Sequence, residues 1–187
     1  MPDRAFTELV SDRLVLRRFR RSDAVPFAAY RTIPAVARFQ GWDAPYSLAR
    51  AERFIRDLEA ADPDTPGAWF QFAVTPRPDG ELLGDCGTGV SLGDPREVEI
   101  GFTIAPEHQG NGYATEAVRR LLGYWFGDRG KHRATASCDA RNAPSARVLR
   151  RAGFRPEGRR RKRVWAKGEW TDDLVFAILD RDWPPPQ

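Results

Sequence analysis

Apolar residues recur along this chain in two rhythms. Val98, Ile100, Phe102 and Ile104 alternate with Glu99, Gly101 and Thr103, the period of a strand with one buried face. Ala114, Ala117, Val118, Leu121, Leu122 and Trp125 follow at three- and four-residue spacing, which gathers them on one side of a helix. Upstream, Leu14 and Leu16 mark a short strand, Ser22 offers an N-cap to a helix running through Tyr30, and Ser47 caps a second helix carrying Leu48, Ala51, Phe54, Ile55 and Leu58. Residues 32 to 46 hold Pro34, Gly41 and Pro45 and predict loop or broken helix, made apolar by Phe39, Trp42 and Tyr46. Trp69–Val74 and the glycine-rich Leu82–Val90 read as strands, the glycines implying close backbone approach or bulging. Short turns between these strands predict antiparallel pairing, whereas Arg133–Cys138 follows a helical crossover and can run parallel to the central strand. Pro144 suits a first helical turn and Gly153 the residue after a last one. Lys167-Gly168-Glu169 signals the turn of a closing hairpin.

A length of 187 residues predicts one domain over 1–187, with a core at about 11–182 and a Pro-rich tail at 184–187. Cys86 and Cys138 have neither a disulfide framework nor metal-ligand spacing, and no apolar run has the length of a membrane span or a signal-peptide core. These features predict a cytoplasmic protein without metal or membrane partners; they do not fix its oligomeric state, which is left as monomer or homodimer. Charge changes the picture slightly. Residues 1–99 carry a net −3 and residues 100–187 a net +7, a field suited to an anionic ligand in the second half and equally to an ordinary solvated basic surface. The run Arg159–Arg163 leads straight into Val164-Trp165-Ala166, so it reads as a solvated hairpin strand and not as a nucleic-acid patch.

Between the alternating strand and the amphipathic helix lies Glu107-His108-Gln109-Gly110-Asn111-Gly112-Tyr113-Ala114-Thr115. A helix start presents unpaired N–H groups and the positive end of the macrodipole, and Gly110 and Gly112 add no Cβ to hold an anion away. A nucleotide-hydrolysing loop needs Lys-Ser/Thr after its last glycine, where this chain has Tyr113-Ala114, and a dinucleotide fingerprint needs a third glycine. Gln109-x-x-Gly112-x-Ala114 resembles instead the central motif of the GNAT family of acetyl-coenzyme A-dependent N-acetyltransferases. Asn142-x-x-Ser145 through Gly153-Phe154 resembles a second, correctly ordered motif of the same family. The Arg13-Leu14-x-Leu16-Arg17 opening, the Ser47 helix and the closing hairpin look like the branch of Rim-type ribosomal-protein alanine N-acetyltransferases.

The resemblance implies an α/β (α+β) fold with a mixed, mostly antiparallel sheet flanked by helices, and acetyl-coenzyme A as cofactor. It implies a pyrophosphate grip by Gln109, Gly110, Asn111, Gly112, Tyr113, Ala114 and Thr115. The strand backbone of Phe102, Thr103 and Ile104 and the side chain of Asn142 would then meet the pantetheine arm. Transfer to an amine needs a base for its proton, a donor for the oxyanion and help for the departing thiolate. Glu99 is the candidate base, the alternative being an exposed strand residue or ion-pair partner. Ser145 is the candidate for assisting the sulfur, the alternative being a helix cap. Many family members carry a tyrosine four residues after the position of Ser145, and this chain has Leu149. His108 and His132 lack a metal partner or nucleophile at suggestive spacing. The favoured acceptor is a protein or peptide N-terminal amine. A small amine such as an aminoglycoside or amino sugar, and a coenzyme A-binding module without transfer activity, are the alternatives.

Overall fold

A computed structural model describes residues 8–78 and 80–183; the Pro-rich tail at 184–187 lies outside them. Eight strands form one sheet in the order β1-β2-β3-β4-β5-β6-β8-β7: β1 Glu8–Val10, β2 Leu14–Arg17, β3 Trp69–Pro76, β4 Gly84–Val90, β5 Glu97–Ile104, β6 Arg133–Asp139, β7 Arg155–Ala166 and β8 Glu169–Leu179. Every neighbouring pair is antiparallel except β5 and β6, as the helical crossover between them predicts.

Helices α1 (Ala24–Thr32) and α3 (Leu48–Leu58) cover one face, with the single turn α2 (Pro34–Ala37) between them in sequence; α4 (Tyr113–Gly123) and α5 (Ala143–Ala152) cover the other. The α4 stripe behaves as its spacing requires. Ala117, Val118, Leu121 and Leu122 are fully buried, facing the sheet that carries Val98 and Ile100, and each such side chain contributes about 1.5–3 kcal/mol for the larger members. On the opposite face Phe27 packs against Phe19, Tyr30, Tyr46 and Phe54.

Two local readings need correction. Ser22 does not cap α1: it lies inside a short 3-10 turn, Arg21–Asp23, and the carboxylate of Asp23 closes that turn by accepting the Arg20 N–H at 2.7 Å while also pairing with Arg17. An acid reaching both a backbone donor and a buried guanidinium outcompetes a hydroxyl two residues into the chain. The helix then runs to Thr32, past Tyr30. The β4 glycines, in turn, are required by neighbours lying over the strand. A Cβ on Gly89 would stand 2.8 Å from the Trp69 indole, and one on Gly87 would stand 2.7 Å from the Gln71 amide. At Gly84 the close approach is of backbone, as expected: a Cβ there would meet the Thr103 carbonyl oxygen at 2.2 Å. Ser47 caps α3 by accepting the Arg50 N–H, and Gly153 ends α5 in the left-handed conformation. The basic run 159–163 lies on the exposed strand β7, whose hairpin turns through Lys167 and Gly168, both at positive φ.

Candidate active site

The parallel pairing of β5 and β6 lasts only from Glu97–Arg133 to Glu99–Thr135, yet β5 continues to Ile104 and β6 to Asp139. The strands diverge, and along Ile100–Ile104 the side of β5 turned toward β6 has no strand partner. Backbone N–H and C=O groups left this way need a partner, so the gap is a ready place for an extended polar chain. A groove of about 500 Å³ opens on it, lined by β5, the turn before α4, and the start of α5.

The groove gathers Phe102, Thr103, Ile104, Gln109, Gly110, Gly112, Tyr113, Ala114, Thr115, Asn142 and Ser145. Gly110 and Gly112 have φ near +82° and +81°, and Gly112 is the residue preceding the first turn of α4. Any side chain would strain both positions, which keeps the turn bare and the first N–H groups of α4 open. Gln109 contributes differently from its expected grip: its Nε2 donates to the Ile104 carbonyl at 2.8 Å and ties the turn to the end of β5. Asn111 does not line the groove, because its amide donates to the His108 and Gln109 carbonyls and braces the turn from outside. An amide used twice for shaping a loop has no donor left for a ligand there.

At α5 the cap is Asn142, whose Oδ1 accepts the Ser145 N–H at 3.2 Å. Capping therefore does not occupy the Ser145 hydroxyl, which lines the groove. Leu149 is buried in the core, so the position one helical turn after Ser145 places no hydroxyl in the groove. Val36, Arg147 and Arg151 were not singled out from sequence: Val36 lines the groove together with Phe39 of the apolar 32–46 loop, and Arg147 and Arg151 flank it from α5. The aromatic residue in the 32–46 loop signalled the first pair, and the (i, i+4) arginines on a helix that starts at the motif signalled the second. His108 also lines the groove, with Nε2 buried and unpartnered among the described residues.

A second cavity of about 730 Å³ lies on the α1–α3 side of β5. Its floor is Gln71, Gly87 and Gly101, and its walls are Trp42, Tyr46, Phe54, Trp69, Arg50 and Arg53. The two cavities share Gln40, Phe102 and Thr103. Glu99 lines neither. It sits one residue pair along the same strand face from Gly101, beside the Trp69–Gly89 pair. Glu99 is exposed on this face of β5, as its alternative reading expects, and its carboxyl is nevertheless held above the usual glutamate range, first by partial desolvation from the surrounding protein and then by the charge of Asp173, with Arg160 opposing. Asp173, itself buried on β8, is likewise raised by burial.

The cysteines stand apart from both cavities. Burial pushes the Cys86 thiol far up, and burial with Asp173 pushes Cys138 up to about 11. Both are thiols at neutral pH and have no nucleophilic character there. Among the described residues no group of three or more His, Cys, Asp or Glu side chains is placed to hold a metal, and no helix is long and apolar enough to cross a membrane.

Comparison with known proteins gives the same picture. The family described as "Acetyltransferase (GNAT) domain" matches residues 13–155. The uncharacterized N-acetyltransferase p20 of Bacillus licheniformis is 28% identical over 175 residues, 94% of this chain and 97% of that one. The [ribosomal protein uS5]-alanine N-acetyltransferase of Escherichia coli is 28% identical over 120 residues, 64% of this chain and 62% of its own. Among solved structures, Mycobacterium smegmatis RimJ in complex with CoA-disulfide superimposes with a TM-score of 0.79 at 27% identity, covering 92% of this chain and 84% of that one.

Proposed function

The chain belongs to the GNAT acetyltransferase family, and on that premise we propose that it acetylates the N-terminal amine of a protein or peptide, using acetyl-coenzyme A bound in the groove between β5 and β6. The observation that carries this reading is the meeting of two cavities at Phe102 and Thr103, where β5 loses its strand partner. One cavity suits an extended phosphorylated chain, and the other is wide enough for a peptide end. The residues present fit the cofactor: two glycines at positive φ keep the turn bare, and the first amides of α4 face the same groove.

When bound, coenzyme A supplies an acetyl thioester whose carbonyl carbon an amine can attack. Gly110, Gly112 and the amides of Tyr113, Ala114 and Thr115 would hold the pyrophosphate. On the side of β5 that β6 leaves, the backbone of Phe102 and Thr103 and the N–H of Ile104, whose carbonyl Gln109 already engages, would continue the interrupted sheet along the pantetheine arm, and an amide at the end of this strand would be the donor for charge developing on the carbonyl oxygen. Asn142 turns its remaining amide hydrogens to the same arm. Glu99 lines neither cavity and would therefore take the amine's proton through a water, a role its raised affinity for protons matches better than an ordinary glutamate's would. Ser145, whose hydroxyl lines the groove, would assist departure of the thiolate by a hydrogen bond, and the buried Leu149 provides no second acid.

The favoured acceptor follows from the likeness to the uS5-alanine enzyme and from a cavity walled by Trp42, Tyr46, Phe54 and Trp69, in which Asp57 and Asp85 are outnumbered by Arg31, Arg50 and Arg53. Acetyl-coenzyme A-dependent thiol release, measured with Ala- and Ser-initiated peptides, a polyamine and an aminoglycoside, tests it. Release with peptides alone supports the proposal; release with the polyamine or aminoglycoside alone replaces the acceptor. Coenzyme A binding without release from any amine refutes transfer.

A further inference from the structure

The floor of the second cavity holds a polar arrangement that the transfer steps above leave unused. Gln71 on β3, Gly87 on β4 and Gly101 on β5 form one cross-strand row. Because Gly87 has no side chain, the Gln71 amide lies across it, with Oε1 and Nε2 at 2.7 and 3.1 Å from where a Cβ would be. Nε2 donates to Asp85 Oδ1 at 2.6 Å. Asp85 is fully buried and also takes the Tyr30 hydroxyl and Arg31 Nη2. Burial and the Asp85 charge hold the Tyr30 phenol well above its usual pKa, so it remains a donor.

An ionised carboxylate accepts hydrogen bonds and cannot donate them, so Asp85 admits only the NH₂ end of the Gln71 amide. The amide orientation is thereby fixed by chemistry. Oε1 is left on the side of the cavity that Gln71 lines, without a protein donor among the described residues.

We infer that Gln71 Oε1 receives the acceptor, taking one N–H of a neutral primary amine beside Gly101. The inference rests on the acetyl-transfer reading above. A neutral primary amine has two N–H donors and one lone pair, and giving one N–H to a carbonyl oxygen leaves the lone pair free to attack. A carboxylate in the same place would stabilise the ammonium form, which has no lone pair. Asp85 does not act that way, because Tyr30, Arg31 and Gln71 engage its oxygens. Gln71 thus selects the reactive form of the amine and leaves proton removal to the groups on β5.

The test is steady-state kinetics of Gln71→Met, which keeps the length of the side chain and removes both polar atoms. The probe is whichever amine the parent turns over among the Ala- and Ser-initiated peptides, the polyamine and the aminoglycoside. The KM for the amine rises roughly 3- to 12-fold, the worth of one neutral hydrogen bond, while the KM for acetyl-coenzyme A stays within about twofold. Gly87→Ala, which pushes the amide off the floor without touching its chemistry, moves the amine KM in the same direction. Parental amine KM in both variants, with melting temperatures near the parent's, overturns the role of Gln71 alone. A parent that releases thiol with none of the amines overturns the transfer reading and this one together.

Discussion

Gly84 offers the sharpest test of how the cofactor groove is shaped, because it lies outside the groove and acts through backbone alone. It pairs with Ile104 at the end of β5, and a Cβ on it would stand 2.2 Å from the Thr103 carbonyl oxygen and 2.8 Å from the Ile104 Cα. Real Cβ contacts do not fall below about 3.0 Å, so Gly84→Ala must push the end of β5 by about 0.8 Å or break its pairing with β4. Neither neighbour is a flexible side-chain end. Overpacking of this kind costs about 1–3 kcal/mol, which for a chain of this size lowers the melting temperature by roughly 2–12 °C. The displaced segment is Thr103–Ile104, whose backbone and side chains line the groove, so coenzyme A affinity falls with stability. Thermal unfolding and isothermal titration with coenzyme A measure the two. Gly127→Ala is the control, since nothing lies within 4 Å of a Cβ there and its φ is ordinary. Gly84→Ala with parental stability and affinity would refute the claim that the end of β5 is braced by β4.

Glu99→Gln lowers kcat by about 10²–10⁴-fold, the usual worth of general-base catalysis, and an unchanged kcat removes Glu99 from the mechanism. The parent's kcat/KM should fall on its acid side at a pH above the ordinary glutamate range, because the folded protein favours the protonated carboxyl. Asp173→Asn deletes a like charge and moves that limb to lower pH; a limb that stays in place disproves the coupling of the two acids. The same sign holds for stability. A carboxyl whose affinity for protons is raised on folding destabilises the protein once ionised, so Glu99→Gln gains stability relative to the parent as pH rises through the titration, read from melting temperatures at acid and neutral pH. Ser145→Ala reduces kcat roughly 10- to 100-fold, the worth of a hydrogen bond to a developing charge, with the acetyl-coenzyme A KM little changed. Equal activity would return Ser145 to a purely structural role. Gly112→Val forces a β-branched residue to φ near +81° at the start of α4 and abolishes measurable coenzyme A binding by titration; retained affinity contradicts the phosphate grip.

The elements around the β5–β6 groove were legible because their determinants are local. Strand β5, the glycine turn and α4 are contiguous, and the Asn142–Phe154 segment carries its own cap and its own stop. Each piece folds by short-range rules that act on neighbouring residues. What local rules could not reveal was the division of labour inside the motif. Whether Gln109 and Asn111 face a ligand or brace a turn depends on where carbonyls 104, 108 and 109 point, and that is set only once β5 has paired. The Ser22 cap failed for a related reason, since the Asp23 carboxylate is drawn in by Arg17 on the neighbouring strand β2.

The second cavity was hidden for a deeper reason. Arg31, Trp42, Arg50, Trp69, Gln71, Asp85, Gly87 and Gly101 come from six separate segments, and no two of those segments form a motif. Their common logic appears only across the sheet, where glycines on β4 exist to let Trp69 and Gln71 lie flat over them. This arrangement also links the two cavities mechanically. Phe102 belongs to one face of β5 and Thr103 to the other, yet both line both cavities, because the strand is the partition between them. A change in the course of β5 therefore moves the walls for the thioester and for the amine together. Substitutions on α3 or at residues 41–46, which line the second cavity alone, move only the second. The KM for acetyl-coenzyme A should respond to Gly84→Ala and not to Arg53→Ala, whereas the KM for the amine should respond to both. An Arg53→Ala protein with impaired acetyl-coenzyme A affinity would show that β5 does not separate the two substrates.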